Sequence, residues 1–146
     1  MAGRGWLVAA GSLSLGASLL HLSALVGGPR WYRFFGAGER VAHEAERHLP
    51  WPALMTTGIA AMLALWAAYA FSGAGLIRPL PLLRLGLVAI TAIYLARGLV
   101  LFFPAALRRP DLSPAFLFWS SLIVLVIGVI HAIGLARAWT DLNGVF

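Results

Sequence analysis

Four stretches of this chain are each apolar enough and long enough to cross a lipid bilayer, and that pattern dictates almost everything else. About 20 helical residues span the roughly 30 Å of hydrocarbon in a bilayer. The stretches run from Trp6 to Val26, Ala53 to Phe71, Leu83 to Phe103 and Ala115 to Arg137. Backbone polar groups inside hydrocarbon must be satisfied internally, so each stretch is predicted to be a helix. Arg4 followed by the run from Trp6 invites a signal-peptide reading. The run is long and no good small-x-small cleavage site follows it, so it is read as a first transmembrane helix.

Composition points the same way. Of 146 residues, 61% are hydrophobic and 11% charged, and the mean hydropathy is +0.88, which lies outside the range of soluble globular domains. Cysteine is absent, which excludes disulfides, thiolate metal sites and thiol redox chemistry. All eleven basic residues are arginine, against Glu39, Glu44, Glu46, Asp111 and Asp141. The arginines are scattered over loops and helix ends, not gathered in one stripe, so membrane lipid headgroups, not nucleic acid, are the expected counter-charge. Arginine without lysine, with abundant Ala, Gly and Leu, suits a GC-rich bacterial genome and a bacterial inner membrane.

Punctuation residues set the boundaries. Pro50 and Pro52, Pro79 and Pro81, and Pro110 and Pro114 precede or open the last three spans, and proline suits a first helical turn. Asp111 and Ser113 are candidate caps for the fourth. Gly27-Gly28-Pro29 is expected to end the first span and Ser72-Gly73-Ala74-Gly75 the second. Trp31, Tyr32, Phe34 and Phe35 interleave with Arg30 and Arg33, and Trp51, Trp66, Tyr69, Trp119 and Trp139 fall near other boundaries. Together they read as an aromatic belt with arginine anchors. Short connections between the later spans predict an up-down antiparallel four-helix bundle in a single domain, residues 1–146, with both termini on one side. The positive-inside count places the first and third loops in the cytoplasm: Arg30, Arg33, Arg40, Arg47, Arg108 and Arg109 outnumber Arg4, Arg78, Arg84 and Arg137.

The first loop, Gly27 to Pro52, is the one long connection. Glu39 to His48 reads as a short amphipathic surface helix, because Glu39/His43, Arg40/Glu44 and Glu44/His48 are spaced i,i+4. His43-Glu44-Ala45-Glu46-Arg47-His48 is no zinc-protease motif, since its histidines are five apart and leave one helix face. Glu39 with His43, or Glu44 with His48, offers two metal ligands that His21 would have to complete, but a charge-laced solvated helix explains the same pairs. No Glu-x-x-His occurs, which sets aside carboxylate-bridged diiron bundles. The span count resembles that of small four-helix multidrug transporters, which rely on an acidic residue in helix 1; helix 1 here carries none.

Three ionisable residues, His21, Arg97 and His131, fall inside the spans. Buried charge in a membrane is costly, about 2.5–3.5 kcal/mol on insertion scales, and such residues are functional candidates by default. His21 lies on a face with Ala10, Ser14, Ala17 and Ala24, and His131 on one with Ser121, Gly128 and Leu135. Small-residue faces are where membrane helices pack closely. At about 1.5 Å per residue, His21 and Arg97 lie roughly 8 and 9 Å from the first-loop side and His131 roughly 24 Å. The depth difference prevents His21 and His131 from sharing one haem, while a single-histidine haem or metal site stays open. His131 is expected to make a structural hydrogen bond. Arginine stays protonated and needs an anionic or carbonyl partner.

Two readings of Arg97 follow: it snorkels or pairs with a first-loop glutamate for structure, or it receives an anion. The leading expectation is a pocket for a small anionic or amphipathic ligand, such as lipid, quinone or an organic anion, with a binding or transport role. His21, Tyr94 and Arg97 would line it, and Glu39, His43 and Glu44 would serve as gate or counter-charge. The cofactor is unknown. A haem or metal redox protein, or a subunit packing as a homo-oligomer or with a partner membrane protein, are the competing readings. No serine, histidine and acid share one depth, so hydrolytic catalysis has no support.

Overall fold

The computed structural model describes residues 2–103, 105 and 112–144. Those residues form no strand. The helices are α1 (Arg4–Phe34), α2 (Glu39–Glu46), α3 (Pro50–Gly73), α4 (Leu83–Leu99) and α5 (Pro114–Ala138), with short 3-10 turns at Val100–Phe102 and Asp141–Gly144. Four helices are long and apolar enough to cross a membrane: α1, α3, α4 with its 3-10 extension, and α5.

The start signals act as expected. Pro50 opens α3 and Pro114 opens α5, each where a missing N–H costs nothing. Ser113 caps α5, its Oγ accepting from Phe116 N–H at 3.1 Å. Asp111, the other candidate cap, lies outside the described residues, as do Arg108, Arg109 and Pro110.

The break at Gly27-Gly28-Pro29 falls where expected, and a second helical segment follows it within α1. Gly28 takes φ 61°, ψ −149°, a conformation open almost only to glycine, and Pro29 cannot continue the hydrogen-bond ladder. The helix bends there and resumes to Phe34. Its true stop is Gly36 at φ 69°, where Gly36 N–H donates to Arg33 O at 3.1 Å and Ala37 N–H to Tyr32 O at 2.9 Å. That pair of bonds is a Schellman cap. α3 ends the same way at Gly75, with Gly75 N–H on Ser72 O and Leu76 N–H on Phe71 O, both 3.0 Å.

α1 packs most closely on α3 and α4 on α5, while α1 also meets α5 and α3 meets α4. The start of α1 lies against the end of α5, with Gly3 beside Gly134 and Ala138, and the end of α3 lies against Leu7 and Leu87 through Gly73. At that end the buried apolar residues are Leu7, Ala74, Leu83, Leu87, Leu135, Ala138 and Leu142, and buried Ser72 precedes Gly73 there, its Oγ donating to Arg78 O and accepting from Leu80 N–H, both at 3.0 Å. Further in, Leu63, Ile90, Tyr94 and Ile127 form the next layer. At the far end Ala24, Tyr32 and Ala42 bury α2 against α1 and α3. If lipid surrounds these helices, apolar burial supplies little drive for association, because lipid tails are as apolar as leucine. Close packing and buried polar bonds must then hold the helices together. Gly98 is one such contact: a Cβ there would stand 2.5 Å from Leu125 Cα, so the backbones of α4 and α5 touch only because Gly98 has none.

Candidate functional site

The polar residues of the helices fall into three separate surroundings. The first crosses the middle of the structure. Ser14 of α1 and Tyr94 of α4 share a 2.8 Å hydrogen bond between their hydroxyls, linking two helices that stand diagonally. The Tyr94 ring lies 5.0 Å from the His131 imidazole, tilted by 35°, and 4.9 Å from Trp66, edge on. His131 is fully buried. Its Nδ1 stands 3.0 Å from Ile127 O, and since a carbonyl only accepts, Nδ1 carries the proton. Nε2 of His131 is buried and has no hydrogen-bond partner among the described residues.

Trp66, which sequence position associates with a membrane boundary, thus packs inside against Tyr94. The small-residue faces are the reason: Ser14, Ser18, Ser121, Gly128 and Gly134 are all buried, leaving room for the large rings between them.

The second surrounding is that of Arg97. It is exposed, three residues along α4 from buried Tyr94. Its Nη1 donates to Ser121 Oγ at 2.7 Å and its Nη2 stands 3.5 Å from Ser120 Oγ. A guanidinium has five N–H donors. Two are directed to serine hydroxyls, and among the described residues no carboxylate lies within ion-pair distance of the others. Gly98 sets this geometry, because the close approach it permits brings the α5 serines under the Arg97 head.

The third surrounding is the elbow of α1 with α2. Arg33 is held by two carboxylates: Nη2 to Glu39 Oε1 at 2.7 Å and Nη1 to Glu46 Oε1 at 2.8 Å. The guanidinium beside them holds the carboxyls of Glu39 and Glu46 below their usual range. Arg40 pairs with Glu44 at 3.4 Å and His43 with Glu46 at 3.5 Å. Of the three anticipated i,i+4 pairs, Arg40/Glu44 is an ion pair; Glu39 turns to Arg33 and His48 falls beyond the helix, at φ 55°.

The six residues expected to share a pocket are therefore spread over all three places. His21 is half-buried and its Nδ1 bonds Ala17 O at 2.8 Å within its own helix. Tyr94 faces Ser14 and His131, Arg97 faces α5, and Glu39, His43 and Glu44 serve α2, which packs on α1 and α3. His21 is seven residues, about 10 Å of helix rise, from Ser14 on the same helix, so the layer of His131 does not include it. Among the described residues no group of three or more His, Asp or Glu side chains is placed to hold a metal ion.

Sequence reasoning passed over the serines. Ser14 and Ser121 stood on the small-residue faces, where they read as spacers; each proves to be the polar partner of a larger side chain on another helix. Arg97 needed a partner and the spans offered no acid, so hydroxyls on the neighbouring helix were the signal to follow. The chain matches no known family model, no curated protein and no solved structure.

Proposed function

We propose that this chain is an integral membrane protein whose four long helices cross the bilayer as an up-down bundle, and that it binds an anionic amphiphile at Arg97. The meeting of the α1 start with the α5 end, and of the α3 end with the α1 and α4 starts, supports the antiparallel arrangement. The arginine-only basic composition favours a bacterial plasma membrane.

One observation carries the ligand reading. Arg97 is a permanent cation on the outside of an apolar helix, braced by Ser121 and without a carboxylate among the described residues. In lipid, that leaves guanidinium donors directed to where an acyl-chain acid or a lipid headgroup would lie. The charge penalty of an arginine in hydrocarbon, about 2.5–3.5 kcal/mol at the midplane and smaller towards the interface, is offset when an anion joins it. The proposed site is thus on the α4/α5 surface, not among His21, Glu39, His43 and Glu44. Binding is the role this supports.

The test is thermal unfolding of the solubilised chain with added oleate. A ligand that binds only the folded state at 100 times its Kd stabilises by about 2.7 kcal/mol, a measurable rise in Tm. Arg97→Gln should abolish the rise and Arg97→Lys should retain part of it, since a lysine keeps charge but loses the fork. An equal rise in wild type and Arg97→Gln contradicts the proposal.

A further inference from the structure

The run of aromatics and arginines after the first span was explained as interfacial anchoring alone, yet the α1 elbow shapes it into a groove. Gly27, Arg30, Trp31, Phe34 and Phe35 line an open surface groove of about 580 Å³. Two glycines build it. Gly28 turns the chain at φ 61°. Gly27 lets the Trp31 indole lie directly on the backbone, where a Cβ would collide with the ring. Trp31 and Phe35 meet edge to face at 5.6 Å, and Phe34 and Phe35 at 5.2 Å, so the wall is a connected aromatic surface.

Around this groove Arg33 lies between Glu39 and Glu46, and Arg40 is paired with Glu44. Arg30 is exposed and among the described residues has no carboxylate within ion-pair distance. Val26 is 92% and Phe34 82% exposed, four residues before and four after Arg30 in sequence. Exposed apolar surface flanking an arginine that has no carboxylate partner among the described residues complements a molecule with an acyl chain and a phosphate.

We propose that the α1 elbow is a docking site for an anionic phospholipid, its chain along Val26, Trp31 and Phe34 and its phosphate on Arg30. The inference rests on the membrane reading above but uses a different cation from the Arg97 site. The two sites lie on helices that stand diagonally, α1 and α4. Anionic headgroup attraction of about 1 kcal/mol per basic residue corresponds to about a fivefold preference over a zwitterionic lipid of the same chains.

The experiment is native mass spectrometry of the full chain in detergent, titrated with dioleoyl phosphatidylglycerol and, separately, dioleoyl phosphatidylcholine. Wild type should retain the anionic lipid about fivefold better. In the Arg97→Gln background, which removes the other proposed anionic site, Arg30→Gln, at an exposed position with no carboxylate partner among the described residues, should bring retention of the two lipids to parity while the protein stays folded by circular dichroism. Gly27→Ala, which displaces the indole, should weaken retention of both lipids. Arg97→Gln should leave the Arg30-dependent preference in place, so loss of the Arg97 site and loss of the elbow site give different results. An undiminished preference in the Arg30→Gln/Arg97→Gln double variant overturns the proposal, and so does displacement of the lipid by millimolar inorganic phosphate, which would show a site for the headgroup anion alone.

Discussion

Removal of the Ser14–Tyr94 bond offers a quantitative test of the packing. The bond is 2.8 Å long and both residues are buried, Ser14 completely and Tyr94 to within 4% exposure. Hydrogen bonds between membrane helices average about 0.6 kcal/mol in double-mutant cycles and reach about 1.7. The two truncations are not equivalent. In Tyr94→Phe the ring keeps its contacts with His131 and Trp66, and the Ser14 hydroxyl can turn to a carbonyl one turn back in its own helix, so the cost should be about 0.5–1 kcal/mol. Ser14→Ala strands the phenol in the core, where no other partner stands among the described residues, and should cost about 1–2 kcal/mol. The double variant leaves no stranded phenol and should resemble Tyr94→Phe, so the coupling energy should approach the Ser14→Ala cost of about 1–2 kcal/mol. Reversible unfolding in mixed micelles by titration with a denaturing detergent measures all four corners of the cycle. Additivity within about 0.3 kcal/mol, the behaviour of independent sites, would show that the hydroxyls do not interact.

Further predictions concern the other two surroundings and the core. Gly98→Ala should cost at least about 1–3 kcal/mol as overpacking, because its Cβ would meet Leu125 backbone at 2.5 Å; a cost near zero in the same unfolding assay would show that α4 and α5 are not in contact there. His131→Phe should change stability by less than about 1 kcal/mol, since it removes a buried unpartnered Nε2 along with the Nδ1 bond; a loss of several kcal/mol would mean that Nε2 has an essential partner. Glu39 and Glu46 have folded-state values depressed below 4.5 by Arg33, so their contribution is present above that pH and is lost as pH falls through the depressed values. Protection factors for amide exchange across Glu39–Glu46, taken relative to the intrinsic rate at each pH, should therefore fall in acid, and Arg33→Gln should lower them at neutral pH; protection that is independent of both would show that Arg33 does not clamp α2.

The four long apolar helices were readable because length and hydropathy are local properties. Pro50, Pro114 and Ser113 act where their chemistry places them, and the predicted surface helix exists within two residues of its expected end. Gly28 breaks the first helix as its glycine-proline pair suggests; what spacing did not show is the second helical segment that follows, to Phe34, before Gly36 caps it. The site was less legible for a different reason. Spacing along one helix tells which residues share a face, but not which other helix lies on it. Arg97 and Tyr94 are three residues apart and nearly share a face, yet one points across the interior to Ser14 and the other out to α5. Depth alone grouped His21 with Arg97; the structure separates them because His21 bonds Ala17 O in its own helix while Arg97 turns out to the α5 serines.

The central claim is that Arg97 holds an anionic amphiphile on the α4/α5 surface. Native mass spectrometry of the chain extracted from its own membranes addresses it without any added ligand. Because the elbow also holds an anionic lipid, the comparison is made in the Arg30→Gln background: an acidic, chain-bearing molecule should be bound to Arg30→Gln and lost from the Arg30→Gln/Arg97→Gln double variant. An Arg30→Gln protein that carries no such mass, or a double variant that carries the same one, would contradict the Arg97 site.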